Sequence, residues 1–102
     1  MTSVDQSNSK WNGSYYLKNG KGSLNIKIED NNIAEFSIDG VYSDNEKLNK
    51  IEGKFEIKDD KGQFNKVEGG YLTFQIINDS AVEVHEYDSK GTEKFVAAYL
   101  RN

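Results

Sequence analysis

Apolar side chains recur at every second position along most of the chain between Trp11 and Leu100. The clearest example is the run in which Leu24, Ile26 and Ile28 alternate with polar residues. Successive side chains of a β-strand point to opposite faces of a sheet, so this period predicts strands with one buried face. Runs of Gly, Asn and Asp between the segments predict tight turns. Eight strands are predicted, at 11–18, 24–29, 34–40, 51–58, 64–67, 71–76, 82–86 and 95–100.

No segment is long enough and periodic enough to predict a helix. Consecutive strands joined by tight turns pair antiparallel, and a sheet that closes on itself removes its exposed edges. We therefore predict an all-β protein, an antiparallel up-and-down meander of about eight strands closed into a barrel. A β-sandwich of two sheets is the alternative.

The two ends of the predicted meander carry matching patterns. The first strand reads W-x-G-x-Y from Trp11, and the last reads F-x-A-x-Y from Phe95. Each places an aromatic, a small and an aromatic side chain on one face, so the two strands could pair and seal the barrel.

The domain organisation is simple. Residues 1–10 are polar and without period, which predicts a flexible leader or tether, and residues 11–102 form a single β-barrel domain. A chain of 102 residues has room for one core. The most polar connection, from Tyr42 to Asn49, predicts the longest loop and a possible functional segment.

The composition excludes several classes of partner and of functional site. The formal net charge is -4, and lysines alternate with acids instead of forming a basic stripe, so nucleic acid is not an expected partner. With no cysteine, disulfides and cysteine metal sites are excluded, and we expect no cofactor. No apolar run reaches the roughly 18 residues of a membrane span.

Several segments together resemble a group of small bacterial envelope proteins. These segments are W-N-G-S-Y at 11–15, G-x-L-x-I at 22–26, I-E-G-x-F at 51–55, L-x-F at 72–74, V-x-V-x-E at 82–86 and F-x-A-x-Y at 95–99. The group comprises secreted or lipid-anchored domains with a calycin-like barrel, related in shape to lipocalins, avidins and lysozyme-inhibitor lipoproteins. The resemblance implies an eight-stranded barrel outside the cytoplasm, with a possible lipid anchor in the full-length precursor. The chain has neither a cysteine to carry a lipid nor a recognisable lysozyme-plugging loop.

Four residues are candidates for binding a ligand inside the barrel. Trp11, Tyr15 and Tyr99 could line a cavity. Glu86 lies at a position where the alternation predicts an apolar side chain on the buried face, and a carboxylate there needs a hydrogen-bond partner. The alternative is structural: the three aromatic residues pack the barrel floor, and Glu86 is a hydrogen-bonded plug or an exposed strand end.

The outer face offers fewer candidates. His85, the only histidine, is predicted to point outward beside Glu83 and Tyr87, either as an ordinary polar residue or as part of a weak metal site. No G-x-S-x-G nucleophile motif is present. Outward tyrosines are predicted to be contacts for a protein or glycan partner, or to have no role; they are Tyr16, Tyr42, Tyr71 and Tyr87.

The sequence thus favours a non-enzymatic binding or interaction domain, extracellular or in the bacterial cell envelope. Its predicted partner is a protein, a glycan or a small apolar ligand. Two other functions stay open. One is a carrier that holds an apolar ligand inside the barrel, and the other is a lysozyme-inhibitor-like protein.

Overall fold

The structure is a computed structural model that describes residues 8–17, 22–30, 32–43 and 46–101. Within these ranges the chain forms one turn of 3-10 helix and eight β-strands. The turn is Asn8–Trp11, and the strands are β1 (Gly13–Leu17), β2 (Gly22–Asp30), β3 (Ile33–Ser43), β4 (Glu46–Glu56), β5 (Lys61–Asn65), β6 (Tyr71–Asn78), β7 (Ala81–Tyr87) and β8 (Glu93–Arg101). The prediction of an all-β protein is confirmed.

All eight strands belong to one antiparallel sheet, in the order β4-β3-β2-β1-β8-β7-β6-β5. The first and last strands therefore lie side by side, and β4 and β5 are the two ends of the sheet. The sheet curls until these ends approach each other and the barrel is nearly closed. The predicted meander is confirmed, and the two-sheet sandwich is wrong because a single sheet accounts for every strand.

Asn8 and Ala81 are buried outside the hydrophobic core cluster. The buried apolar side chains of the described core cluster follow the predicted alternation. They are Trp11, Tyr15, Leu17, Leu24, Ile26, Ala34, Phe36, Ile38, Phe55, Ile57, Leu72, Phe74, Val82, Val84, Ala97 and Tyr99.

Aromatic rings meet in the middle of this core. Phe55 stacks on Phe74 with centroids 4.4 Å apart, Phe36 lies 4.8 Å from Phe74, and the edge of Trp11 packs 5.5 Å from Phe55. Each such pair contributes about 0.5–1.5 kcal/mol beyond the burial of its area. The centre of the barrel is therefore filled with side chains.

Several predicted boundaries differ from the structure: Trp11, predicted in the first strand, lies in the 3-10 turn, and the strand predicted at 64–67 is Lys61–Asn65. The two largest differences are at the leader and at one loop. Residues 8–10, assigned above to the leader, belong to the 3-10 turn: Asn8 is buried and donates a hydrogen bond to Asn32, and Lys10 pairs with Asp60 at 3.0 Å. Residues 1–7 lie outside the described residues. The loop predicted from Tyr42 to Asn49 is wrong for all but residues 44 and 45, which are not described, because β3 and β4 extend through it.

The join between β1 and β8 confirms the predicted pairing of the first and last strands. Tyr15 lies opposite Arg101, and Leu17 lies opposite Tyr99. The two segments are thus hydrogen-bonded neighbours although they are more than 80 residues apart in sequence.

Arg101, the last residue of β8, ties this join to the N-terminal turn. Its guanidinium donates hydrogen bonds to the backbone carbonyls of Lys10 and Asn12, the latter at 2.6 Å, and to the Tyr15 hydroxyl at 2.9 Å. Its Nε donates to the carbonyl of Asp79 at 2.8 Å. Since charge-assisted hydrogen bonds are stronger than neutral ones, one side chain fixes several backbone segments at this end of the barrel.

The seam between β4 and β5 is closed by side chains. Within the described part of the chain, no ladder of backbone pairs joins the two strands. Instead, the ring of Phe64 on β5 lies over Gly53 on β4, and the ring of Phe55 on β4 lies over Gly62 on β5. A Cβ at either glycine would overlap the facing ring, so only glycine permits this close approach.

Candidate functional site

The aromatic residues predicted to bind a ligand are part of the packed floor of the barrel. Trp11, Tyr15 and Tyr99 are each at most 1% exposed. The Tyr15 hydroxyl donates to the Trp11 carbonyl at 2.8 Å and accepts from Arg101. Burial raises the pKa of Tyr99 to about 12 and also raises the pKa of Tyr15. These contacts agree with the packing alternative stated for the three residues.

Trp11 has one unusual feature. Its indole Nε1 is buried and has no hydrogen-bond partner among the described residues. A buried donor left unpaired costs about 1–3 kcal/mol. This nitrogen is therefore the one buried polar side-chain atom of the described core that a further acceptor could satisfy.

Glu86 is not brought together with the aromatic residues. It pairs across the strands with Leu72 and Phe95, and Phe95 lies six residues along β8 from Arg101. At a rise of about 3.4 Å per residue this separation is about 20 Å, so Glu86 lies toward the other end of the barrel. Its carboxylate accepts a hydrogen bond from Lys66 at 2.5 Å, and both side chains are less than a fifth exposed. Glu86 is thus hydrogen-bonded and ion-paired to Lys66.

The outer face of β5, β6 and β7 forms a groove of about 470 Å³, which we call the outer groove. The lining residues that point away from the core come from all three strands; they are Lys61, Gln63, Thr73, Gln75, His85 and Tyr87. Glu56 and Lys58, from the end of β4 and the turn after it, also line the groove.

The strand register explains the shape of the outer groove. Gln63, Thr73 and His85 lie directly opposite one another on β5, β6 and β7 and form one row. Tyr71 and Tyr87 belong to the row beside it. Because Thr73 is short and its neighbours are long, the middle of the row is the floor and the larger side chains are the walls.

The ring of Tyr87 is held in place by Tyr71 and lies near the ring of His85. Tyr71 stacks on Tyr87 with centroids 4.6 Å apart and planes 19° apart, and His85 lies nearly parallel to Tyr87 at 6.2 Å. Stacked cross-strand aromatic pairs lose little further freedom when a ligand binds. The outer groove therefore has one rigid aromatic wall.

His85 connects two carboxylates. Its Nε2 lies 2.7 Å from Glu83 and its Nδ1 lies 2.8 Å from Glu93. A carboxylate accepts hydrogen bonds, so both nitrogens must carry hydrogens and the ring is an imidazolium in this arrangement. The hydrogen bond to Glu83, followed by the bond to Glu93, outweighs burial and raises the pKa of His85. The predicted outward position of His85 is observed.

The metal site considered for His85 lacks a free ligand atom. Both ring nitrogens are engaged with glutamates. Among the residues that the structure describes, no three His, Cys, Asp or Glu side chains are grouped as a metal ion would require. Nor does any helix in these residues have the length and apolar character of a membrane span.

Two lysines face each other at one end of the outer groove. Lys58 and Lys61 form an antiparallel bridge around a tight turn in which Asp59 and Asp60 have φ angles of 54° and 62°. Like charges directly opposite each other in a sheet are destabilising. Asp60 pairs with Lys10, and no described residue forms an ion pair with the ammonium group of either groove lysine.

Sequence reasoning named the outward tyrosines but missed the outer groove. The structure brings Tyr71 and Tyr87 together, whereas Tyr16 lies on β1, 40% exposed and away from them. The side chain of Tyr42 lies outside the described ones. The signal that could have found the groove is the register of β5, β6 and β7, because it decides that Gln63, Thr73 and His85 share a row.

Comparison with known proteins supports the fold. No protein-family model and no curated protein matches the chain. Among solved structures, a redesigned β-barrel is similar with a TM-score of 0.64 and 13% sequence identity, over 99% of this chain and 98% of that one. The chain therefore has the architecture of a small eight-stranded antiparallel β-barrel.

Proposed function

We propose that this chain is a non-enzymatic binding domain of the bacterial cell envelope and that it binds its partner in the outer groove. The observation that carries the proposal is the row of Gln63, Thr73 and His85 beside the stacked ring of Tyr87. Ligand sites combine apolar surface with a few oriented polar groups, in volumes of about 300–1,000 Å³. The outer groove, at about 470 Å³, has this composition and size.

The state of His85 supports binding over catalysis. A histidine that acts as a general base needs a nitrogen with a free lone pair close to the proton it removes. Both nitrogens of His85 are held by Glu83 and Glu93. The ring therefore serves to hold β7 and β8 together and to present a fixed surface.

The assignment to the envelope is supported by the segments that resemble secreted and lipid-anchored barrel domains, such as W-N-G-S-Y at 11–15. Immunoblotting of cell fractions from the organism that encodes the chain tests it. We expect the protein in the envelope or the medium, and its retention in the cytoplasmic fraction contradicts the assignment.

Binding is tested by titrating ¹⁵N-labelled protein with soluble cell-wall glycan fragments, a lysozyme, short peptides and a fatty acid. We expect at least one polar probe to shift the amide signals of Thr73, His85 and Tyr87 while those of Leu24 and Phe36 stay unchanged. Turnover of any probe, or shifts confined to the core, contradicts the proposal. Inhibition of the lysozyme in the same panel would identify the lysozyme-inhibitor alternative.

A carrier of a small apolar ligand is the second candidate, and the unpaired Nε1 of Trp11 is the observation that favours it. A ligand with an acceptor atom could satisfy this donor. The contacts among Phe36, Phe55 and Phe74 weigh against it because they fill the centre of the barrel. Quenching or a blue shift of Trp11 fluorescence by the fatty acid would support the carrier, and an emission spectrum that the fatty acid leaves unchanged would contradict it.

A further inference from the structure

The chemistry of the outer groove narrows the class of ligand, and this inference rests on the proposed function. Three features carry it: two lysines at one end, a fixed aromatic ring at the other, and amide and hydroxyl side chains between them. Each feature selects a different part of a ligand.

The lysine end selects an anion. Lys58 and Lys61 lie opposite each other, which costs energy, and no described side chain compensates their charges with an ion pair. A bound carboxylate or phosphate would relieve this repulsion and accept charge-assisted hydrogen bonds from both ammonium groups.

The charge balance of the outer groove agrees with this selection. The protein as a whole has a net charge of -4, but the groove is lined by Lys58, Lys61 and the His85 imidazolium against the single carboxylate of Glu56. Glu83 and Glu93 are bonded to His85 and compensate its charge. Counted with these two glutamates, the groove and its rim carry three positive and three negative charges, and an excess of one positive charge is found only at the end lined by Lys58, Lys61 and Glu56.

The rest of the groove selects a flat ligand rich in hydroxyl groups. A sugar ring has an apolar face of C–H groups, which can pack on Tyr87, and a rim of hydroxyls that both donate and accept hydrogen bonds. Gln63, Gln75 and Thr73 also provide donors and acceptors together.

From these features we propose that the outer groove binds an anionic saccharide. A sugar ring packs on Tyr87, its hydroxyls bond to the amides of Gln63 and Gln75, and its carboxylate or phosphate lies between Lys58 and Lys61.

The test compares trigalacturonic acid with its methyl ester, which keeps the sugar rings and removes the charges. Calorimetric titration in low salt should show the acid binding at least about tenfold more tightly than the ester, equivalent to about 1.4 kcal/mol. Glucose 6-phosphate against glucose shows whether phosphate is accepted in place of carboxylate.

Variants assign the contacts. Lys58→Met with Lys61→Met should abolish the preference for the acid and leave the affinity for the ester unchanged. Lys90→Met with Lys94→Met changes the net charge equally at a site outside the groove and should leave the preference intact. Tyr87→Ala should weaken both ligands about tenfold or more.

The outcomes separate this inference from the function beneath it. Equal binding of acid and ester overturns the inference that the ligand is an anionic saccharide, and so does a preference for the acid that survives the loss of both groove lysines. In either case the proposal that the groove binds a ligand still stands. Preferential binding of oligothymidylate also overturns the inference of an anionic saccharide, because that ligand has phosphates without pyranose rings. If none of the probes, polar or apolar, shifts the groove amides, both proposals fail.

Discussion

The two places where the sheet meets itself are held by different kinds of contact. At the β1–β8 join, backbone pairs run along the strands and the guanidinium of Arg101 bonds to carbonyls of three other residues. At the β4–β5 seam, two aromatic rings cover two glycines without a ladder. The comparison shows that one barrel can be closed by directional hydrogen bonds on one side and by apolar packing on the other.

The difference has consequences for stability. The seam rings are continuous with the central aromatic cluster, since Phe55 contacts both Trp11 and Phe74. Arg101 lies at the end of the barrel, where water can replace some of the hydrogen-bond partners of its guanidinium. We therefore expect the seam to contribute more to the free energy of unfolding, and the join to contribute more to local order.

The largest expected effect is the loss of a seam ring. Phe55→Ala should reduce the free energy of unfolding by about 3–5 kcal/mol, because it removes buried area and leaves a cavity beside Trp11 and Phe74. Urea unfolding followed by tryptophan fluorescence measures this loss. Phe55→Leu is the matched control and should lose less than half as much; equal losses would contradict a role for ring packing.

A smaller effect is expected at the join. Arg101→Ala should cost about 2 kcal/mol by removing charge-assisted hydrogen bonds to Lys10, Asn12 and Asp79. Arg101→Lys keeps the charge without the planar fork and should recover only part of this loss. If urea unfolding shows that Arg101→Lys recovers the whole loss in the free energy of unfolding, the positive charge alone accounts for the contribution of Arg101.

Filling a seam glycine should cost about 1–2 kcal/mol. In Gly62→Ala the added methyl group overlaps the ring of Phe55, which must move. Gly22→Ala is the control, because a Cβ there meets ordinary contacts at 3.4–3.5 Å. Combining Gly62→Ala with Phe55→Leu should cost less than the sum of the single losses, and strict additivity would contradict direct contact.

The smallest effect concerns a cross-strand contact away from both closures. The folded-state pKa of His85 is raised above its usual 6.5 by Glu83 and Glu93. The stabilisation of the folded state by the contacts of His85 with these glutamates is therefore complete below about pH 6.5, and it is lost as the pH rises through the folded-state pKa. For a partly exposed ion pair it should not exceed about 1 kcal/mol. Melting temperatures from pH 5.5 to 9 should show this fall in the parent and not in His85→Gln.

Much of the fold could be predicted from the sequence, because the two-residue alternation records which side chains are buried. The pairing of β1 with β8 was also predicted, although the matching aromatic and small residues do not face one another: Tyr15 lies opposite Arg101, and Tyr99 lies opposite Leu17. The strand segments at 42–43 and 46–49 were not, since they are polar and the register of the β3–β4 hairpin, not burial pattern, extends the ladder through them.

The candidate site was less predictable than the fold. Its contacts join residues that are distant in sequence and adjacent only through register, as with Lys66 and Glu86 or His85 and Glu93. The bulge at Glu86 and Tyr87 shifts the β7–β8 register. Counting residues outward from the turn therefore does not predict that Tyr87 lies opposite Glu93. Alternation predicts which face a residue occupies, whereas register decides its neighbours.

Residue-level amide hydrogen exchange tests the central claim, that backbone pairs close one side of the barrel and side chains the other. The account predicts protection at successive amides of β1, which has a paired strand on each side, and fast exchange at every second amide of 51–56 in β4, which is paired only with β3. Protection at successive amides of that β4 segment would contradict the account, because it would require a backbone ladder across the seam.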